Sequence, residues 1–123
     1  MPHNGTVIPD HIAMHMTDAA LQVPDTDWFL DRLYAFAEAM GCAMLCPMMS
    51  RYVIDLNRSP DDKSLYPGAD TTELCPTTRF DREPIYLAGK APTTAQVSQR
   101  VEHYWKPYHD CLVQKLQQMR QQF

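Results

Sequence analysis

Apolar residues recur every three or four positions in two segments of the chain, which is the spacing of an amphipathic helix. The first segment, 28–40, follows two acidic residues. Either Asp25 or Asp27 can cap this helix, because a carboxylate accepts hydrogen bonds from the free N–H groups of the first turn. Gly41 stands just past the last apolar position, where a left-handed residue commonly ends a helix. We therefore predict a helix over 28–40.

The second amphipathic segment, 93–121, predicts one long helix. Thr93 and Gln96 match a capping box at its start. Pro107 lies inside the pattern. Because proline lacks the N–H that would bond the carbonyl four residues earlier, we expect a kink near His103.

Between the helices, two short apolar runs rich in β-forming residues, 43–46 and 52–56, predict buried strands. The segment 59–92 shows neither the spacing of a helix nor the alternation of a strand, and it carries successive clusters of turn residues. Irregular segments longer than about 12–15 residues are usually functional or disordered. Since this one contains three aromatic residues, we expect an ordered loop that covers a site.

The composition is that of one globular domain: 123 residues, of which 45% are apolar and 21% charged. A net charge of −4 gives no reason to expect nucleic-acid binding. No apolar run approaches the roughly 20 residues of a membrane helix, and the first residues lack a secretion-signal pattern. We expect a cytoplasmic protein without nucleic-acid or membrane partners.

The four cysteines form no CxxC pair, so free buried thiols are expected.

A metal site is one interpretation of the residues near the N-terminus. His3 lies in a turn between two prolines, in which Gly5 is expected to take a positive φ. Such a turn can present a ring nitrogen to a metal; the competing interpretation is a polar residue at a frayed chain end. Asp25 and Asp27 can likewise be metal ligands or only helix caps.

A carboxylate site is one interpretation of Asn57 and Arg58. They follow the predicted strand 52–56, and α/β folds place ligands at the carboxyl ends of strands. Arg58 can hold a carboxylate in a bidentate contact, and Asn57 can add a donor. The competing interpretation is a surface ion pair of Arg58 with Asp55 or Asp61.

The polar and aromatic residues of the long helix favour packing over chemistry. His103 and His109 lie six residues apart, so they do not share the face that a paired-histidine metal site on a helix requires. We expect both to be solvent or packing residues. Tyr104, Trp105 and Tyr108 are expected to form an aromatic-rich helix core.

Five segments carry the motifs of a known family, in that family's order: PHNGTVIPDHI, LQVPDTDWFLDRLYAFAEAMG, SRYVIDLNRSPDDKSLYPG, ELCPTTRFDREPIY and YWKPYH. On these segments the chain resembles the N-formylglutamate amidohydrolase (N-formylglutamate deformylase) family. The resemblance covers nearly the whole chain, and SRYVIDLNR followed by SLYPG is its most specific signature.

The resemblance implies a zinc-dependent hydrolase of histidine degradation that cleaves N-formyl-L-glutamate to formate and L-glutamate. It implies an α/β fold, a partial three-layer α/β/α sandwich similar to carboxypeptidase-like exopeptidases. His3 matches the metal histidine of the family's first loop. Asp27, with Asp25 as a close rival, matches the acidic residue taken as its partner ligand.

The same resemblance implies a substrate-binding group. Asn57 and Arg58 match the pair that grips the substrate carboxylate in related carboxypeptidases. Arg51 is expected to help, because the glutamate moiety offers two carboxylates.

Family members are longer than this chain, and a strand beyond the matching part carries an Asp-x-His-Ser motif with a further metal histidine. We therefore expect 1–123 to be a truncated domain that supplies two of the usual three protein ligands, with the general base elsewhere, and to be inactive alone. A homo-oligomer or a complementing chain is the expected partner. The alternatives are a non-catalytic carboxylate-binding or self-associating domain, and an amidase for another N-acyl amino acid.

Overall fold

The computed structural model describes residues 1–63, 66–68 and 72–123. Its helices, in chain order, are α1 (Asp10–Ala13), α2 (Asp18–Leu21), α3 (Leu30–Leu33), α4 (Ala35–Ala39), α5 (Thr94–Arg100) and α6 (Lys106–Gln122), with a π-helical segment (Val101–Trp105) between the last two. Within these ranges the backbone forms no strand. It forms three isolated bridges, which join Val7 to Met49, Met16 to Tyr86 and Thr78 to Pro84.

The prediction of strands at 43–46 and 52–56 is therefore wrong for the described backbone, although burial of the second run is confirmed. Tyr52, Val53, Ile54 and Leu56 are all at most 4% exposed. Their backbone bonds to turns rather than to a neighbouring strand: the Val53 N–H donates to the Ser50 carbonyl at 2.9 Å and the Asp55 N–H to the Leu74 carbonyl at 2.7 Å. A strand exists only where a neighbour pairs with it. The three-layer α/β/α sandwich stays a prediction.

The helix predicted over 28–40 is broken into α3 and α4 at Tyr34. It begins later than expected, because Phe29 takes a left-handed φ of 60°, and neither Asp25 nor Asp27 caps it. Its apolar face is exposed: Leu33 by 63%, Phe36 by 59% and Met40 by 75%. The ending is as predicted, since Gly41 has a φ of 82°.

The long helix is confirmed as a continuous helical stretch from Thr94 to Gln122. The Thr93 hydroxyl accepts from the Gln96 N–H and the Gln96 side chain accepts from the Thr93 N–H, which completes the capping box. Where a kink was expected, near His103, the helix has the π-helical segment 101–105, one turn before Pro107. A wider turn at this point accommodates the carbonyl that the proline cannot bond.

One buried cluster joins the first half of the chain, the middle loop and the long helix. Its fully buried members are Ile12, Met16, Ala20, Val23, Tyr52, Val53, Ile54, Leu56, Leu74, Cys75, Ile85 and Tyr86. Val97, Val101, Tyr104, Trp105 and Tyr108 of the long helix pack against it, which confirms the expected aromatic core of that helix. Arg100, 7% exposed, donates to the Val53 carbonyl at 3.0 Å and to the Tyr86 hydroxyl at 2.8 Å.

Described parts of the loop 59–92 pack into the core and bond to it, and the expectation that the loop covers a site stays a prediction. Leu74, Ile85 and Tyr86 belong to the core, and the Asp62 side chain accepts from the Leu74 N–H at 2.7 Å. Ser64, Leu65 and 69–71, part of which belongs to the SLYPG motif, lie outside the described residues.

Two further expectations concern membranes and cysteines. Among the described residues, no helix is long and apolar enough to cross a bilayer. All four cysteines are free, as predicted, but Cys75 alone is fully buried, while Cys42 and Cys46 are exposed and Cys111 is intermediate.

The N-terminal turn is fastened to the segment before the buried run. Val7 donates to the Met48 carbonyl at 3.0 Å and accepts from the Ser50 N–H at 2.8 Å. Gly5 is buried in this contact but does not have the positive φ that was expected. Its role is close approach, because a Cβ atom at this position would lie 2.2 Å from the Met49 carbonyl oxygen.

Replacing Gly5 with alanine is expected to lower the free energy of unfolding by about 2–3 kcal/mol, because the clash is with backbone that cannot rotate away. Thr6→Ala in the same turn is the control and should change it by less than about 0.5 kcal/mol, since Thr6 is exposed. Urea unfolding measures both. Equal stability of Gly5→Ala and the unchanged chain would contradict the close-approach account.

The cysteines should differ in reactivity. Burial raises the pKa of Cys75 to about 11, although Arg100 acts in the opposite direction. Since the thiolate is the nucleophile, iodoacetamide at pH 8 should modify Cys42 and Cys46 at least about tenfold faster than Cys75 in the folded chain. Peptide mass spectrometry over time measures the three rates. Unfolding in urea should bring them together, and equal rates in the folded chain would contradict the burial of Cys75.

Candidate metal and carboxylate site

A buried carboxylate, that of Asp55, links the N-terminal turn to the Asn57–Arg58 pair. Asp55 is 1% exposed. Its Oδ1 lies 2.6 Å from His3 Nε2 and accepts from the Asn57 N–H at 2.9 Å. Its Oδ2 accepts from the Arg51 guanidinium at 3.3 Å and lies 3.9 Å from Arg58 Nε. The predicted ion pair between Arg58 and Asp55 is thus present, but as one part of a buried network.

The network keeps Asp55 ionised. Burial acts to raise the pKa of this carboxyl, but the hydrogen bond and charge of His3, the Asn57 N–H and the charge of Arg51 outweigh it and hold the pKa below its usual value. An ionised carboxylate only accepts hydrogen bonds, so His3 Nε2 carries the proton that it shares with Asp55. The other ring nitrogen, Nδ1, is left to face away from Asp55.

His3 Nδ1 faces Asp27. The distance from Nδ1 to Asp27 Oδ2 is 3.7 Å, and the Asp27 N–H donates to the His3 carbonyl at 2.9 Å. Zinc–nitrogen and zinc–oxygen bonds of about 2.1 Å at a tetrahedral angle separate two ligand atoms by about 3.4 Å. The observed spacing therefore fits two ligands of one metal ion, and a carboxylate behind the liganding histidine is the usual supporting contact.

Two donors are fewer than a zinc site requires. Among residues 1–63, 66–68 and 72–123, no group of three or more His, Cys, Asp or Glu side chains is placed to hold a metal. The side chains of His3 and Asp27 are 14% and 45% exposed, so the position between them is open on one side. The pair fits part of a zinc site, which further ligands would have to complete.

Asp25 has a different role from Asp27. Its Oδ2 accepts from the Tyr52 hydroxyl at 2.6 Å and from the Phe80 N–H at 2.9 Å. Burial and the hydrogen bond with Asp25 raise the pKa of Tyr52 well above its usual value, so the phenol stays a donor. Asp25 thus fastens the middle loop to the buried run, which favours Asp27 as the ligand and explains why Asp25 does not cap a helix.

Arg51 and Arg58 line an open cleft of about 580 Å³, which we call the arginine cleft. Its lining residues are Arg51, Arg58, Thr72, Thr78, Arg79, Phe80 and Arg82. The Arg51 guanidinium also lies 4.7 Å from the centre of the Phe80 ring. Asn57 is exposed beside the cleft and is not among its lining residues. The structure brings Arg51 and Arg58 together, and Asn57 joins them through its backbone contact with Asp55.

Sequence reasoning missed Asp55 as the centre of the site, and it missed Arg79 and Arg82. Asp55 had a signal, since a lone acidic residue inside an apolar run is unusual. For the two arginines, the only signal was their position in the loop 59–92, which was expected to cover a site.

The long helix holds the Asn57–Arg58 segment in place. Trp105 Nε1 donates to the Arg58 carbonyl at 2.9 Å, and His109 Nε2 lies 2.9 Å from the Leu56 carbonyl. The two rings stack with centroids 3.7 Å apart. The expectation that His109 is a packing residue is therefore correct but incomplete, because its ring also bonds the backbone that carries the candidate substrate residues.

Asp55→Asn is expected to lower the free energy of unfolding by about 3 kcal/mol, because it removes the charge that compensates the partly buried Arg51 and weakens the hydrogen bond with His3. Asp61→Asn is the control, since Asp61 is an exposed partner of Lys63 and should change stability little. Urea unfolding of both variants measures the difference. A loss in Asp55→Asn no greater than in Asp61→Asn would show that the network does not stabilise the fold.

Comparison with known proteins agrees with the motifs. All of residues 1–123 match the family model described as N-formylglutamate amidohydrolase. The chain is 42% identical to N-formylglutamate deformylase of Pseudomonas putida and 41% identical to that of Pseudomonas aeruginosa, in each case over 123 residues. These alignments cover 100% of this chain and 46% of each relative, so the chain spans about half the length of the curated relatives it matches. No solved structure matches it significantly. The chain belongs to the N-formylglutamate amidohydrolase family.

Proposed function

We propose that this chain supplies part of the active site of a zinc-dependent hydrolase that cleaves N-formyl-L-glutamate to formate and L-glutamate. The observation that carries the proposal is the placement of His3, whose Nε2 is held by buried Asp55 and whose Nδ1 faces Asp27 at 3.7 Å. The matched relatives are named N-formylglutamate deformylase, which supports this substrate.

In this proposal His3 and Asp27 hold zinc, and Asp55 is a positioning residue that fixes the ring of His3. Bound zinc supplies a Lewis acid for the formyl oxygen and a water of lowered pKa. The His3 Nε2–H donates a hydrogen bond to Asp55. This bond fixes the ring, so that its other nitrogen, Nδ1, stays directed at Asp27. The remaining ligand and the general base are assigned to a segment outside 1–123, such as the part of the relatives that the alignments do not cover.

Arg58 and Arg51 bind the substrate in this proposal. Both guanidinium groups lie at the cleft while being held from behind by Asp55 Oδ2, at 3.9 Å and 3.3 Å. Arginine can give a carboxylate two parallel N–H donors. Asn57 is exposed and precedes Arg58 in the chain, and in this proposal its side chain adds a further donor. The substrate is thereby anchored next to the pair of metal ligands, because Asp55 contacts both groups.

The remaining parts of the proposal rest on the sequence resemblance alone. They are the carboxypeptidase-like α/β/α sandwich, a role in histidine degradation and a cytoplasmic location. A second candidate function is carboxylate binding without catalysis. The arginine cleft favours this second function, because residues of this chain line the cleft and it needs no zinc.

Zinc binding tests the proposal directly. By equilibrium dialysis and elemental analysis, the chain mixed with the segment of the Pseudomonas putida relative that the alignment leaves uncovered should bind one zinc ion, and His3→Ala and Asp27→Asn should abolish this binding. Asp55→Asn should weaken it by about 10–100-fold, the usual effect of losing a carboxylate behind a liganding histidine. His11→Ala is the matched control, because His11 is an exposed histidine outside this site.

Formate release from N-formyl-L-glutamate is then measured with the chain alone and with the remaining segment of the Pseudomonas putida relative added as a separate polypeptide. We expect zinc-dependent release in the mixture and its loss with His3→Ala. Zinc binding that is unaffected by His3→Ala and Asp27→Asn would overturn the metal assignment. Carboxylate binding without zinc binding would favour the non-catalytic function.

A further inference from the structure

We propose that a second pocket of this chain binds a phosphoryl group, either of free phosphate or of a small phosphomonoester. This pocket, which we call the histidine pocket, has a volume of about 290 Å³. Its walls come from α1 and the turn after it, from the end of the middle loop and from the helical stretch 94–105. None of its described lining residues belongs to the arginine cleft. The proposal goes beyond the proposed hydrolase function and does not depend on it.

The charge of the lining is the first reason. The chain has a net charge of −4, yet five of the ten described residues that line the pocket are basic and none of the ten is acidic. The five basic residues are His11, His15, Lys90, Arg100 and His103. A concave site lined by groups of one sign concentrates ions of the opposite sign. The lining therefore favours an anion.

The availability of these groups is the second reason. Within the part of the chain that the structure describes, the side-chain nitrogens of His11, His15, Lys90 and His103 take part in no hydrogen bond or ion pair. His15 is half-buried and the other three are exposed, so a ligand can reach all four from solvent. Glu102, the acidic neighbour of His103, is paired with Lys106 and does not compete for the pocket.

The orientation of an amide is the third reason. Gln96 lines the pocket, and its side-chain oxygen accepts from the Thr93 N–H at 2.9 Å as part of the capping box. A carboxamide whose oxygen is already bonded has only N–H donors left. Gln99, one helical turn further on, lines the same pocket. The neutral polar groups of this wall thus add donors, which an anion requires.

The kind of donor favours a phosphoryl group over a carboxylate. A carboxylate is bound best by the planar fork of a free arginine. The one arginine of the described lining, Arg100, is 7% exposed and already donates to the Val53 carbonyl at 3.0 Å and to the Tyr86 hydroxyl at 2.8 Å. The available donors are single N–H groups of lysine, imidazole and amide, which approach from separate walls. A phosphoryl group has three strong acceptor oxygens and nearly two negative charges at neutral pH, so it can bond several such donors at once.

The walls of the pocket are tied to one another, which is the fourth reason. The His15 carbonyl accepts from the Leu87 N–H at 2.9 Å, and the Lys90 N–H donates to the Leu87 carbonyl at 2.9 Å. These bonds hold the turn after α1 against the end of the middle loop. Arg100 joins the helical stretch to the buried run through the Val53 carbonyl. The backbone that carries the donors is therefore fixed before a ligand arrives, which reduces the entropy lost on binding.

Nitrogen-15 NMR of the full chain, titrated with inorganic phosphate at constant ionic strength, tests the proposal. We expect saturable shifts of the Gln96 and Gln99 side-chain amides, and acetate should bind at least about tenfold more weakly than phosphate. Lys90→Gln should weaken phosphate binding at least about fivefold, because it removes a charged donor. Lys115→Gln removes the same charge from α6 outside the described lining of the pocket, so it is the matched control and should change the affinity less than about twofold.

Sulfate tests the three histidines, because its own charge is constant between about pH 6 and pH 8, whereas histidine gains a proton as the pH falls through this range. The other titratable residues that line the pocket are Tyr86, Lys90, Arg100 and Tyr104. Tyrosine, lysine and arginine side chains ordinarily titrate well above this range. We expect sulfate to bind at least about fivefold more tightly at the lower pH. The triple variant His11→Gln, His15→Gln, His103→Gln should reduce that ratio to about two or less.

Methyl phosphate distinguishes the two sources of the phosphoryl group. An affinity within about twofold of that for phosphate, or higher, identifies a phosphomonoester as the ligand class, and a larger loss identifies free phosphate.

Three results would overturn the proposal. They are the absence of saturable shifts with phosphate, equal affinities of Lys90→Gln and Lys115→Gln, and acetate binding as tight as phosphate binding. Each would show a solvated basic surface rather than a site. The decision stands even if the triple variant fails to fold, because Lys90 is exposed and its replacement leaves the core intact. None of these measurements involves zinc or formate release, so the proposed function stands or fails separately.

Discussion

The contact between the buried Asp55 carboxylate and His3 Nε2 determines most of what this site can do. A carboxylate that is 1% exposed is stable as an anion only with several donors, and here the donors come from both halves of the site. On one side is His3, which the contact aims at Asp27. On the other side are Arg51 and Arg58, which border the cleft. One buried charge therefore couples the position of the proposed metal ligands, His3 and Asp27, to the position of the proposed carboxylate-binding groups.

The rest of the fold supports Asp55 and its neighbours. The N-terminal turn approaches the 48–50 segment closely enough to require Gly5, and this places His3 beside the buried run. The long helix bonds the Leu56 and Arg58 carbonyls through His109 and Trp105. These contacts join parts of the chain about 50 residues apart, so the site depends on tertiary packing rather than on any one element.

The local features were predictable from sequence because they depend on neighbouring residues. The capping box of Thr93 and Gln96, the disturbance before Pro107 and the ending at Gly41 belong to this class. The burial of 52–56 was also predictable from its apolar composition, but its pairing was not, because strands need a neighbour that composition does not reveal. The apolar face predicted for 28–40 is exposed in α3 and α4. The spacing of apolar residues shows that a helix has an apolar face, but it does not show whether another part of the chain packs on that face.

The site could be predicted in part. The candidate residues His3, Asp27, Arg51, Asn57 and Arg58 came from motifs, whereas Asp55 gains its meaning only from contacts across the fold. The most direct test of the central contact is nitrogen-15 NMR of the His3 ring during zinc titration. Our account predicts that zinc shifts the His3 Nδ1 resonance while Nε2 remains protonated and bonded to Asp55. A zinc-induced shift at Nε2, or none at either nitrogen of His3, would contradict it.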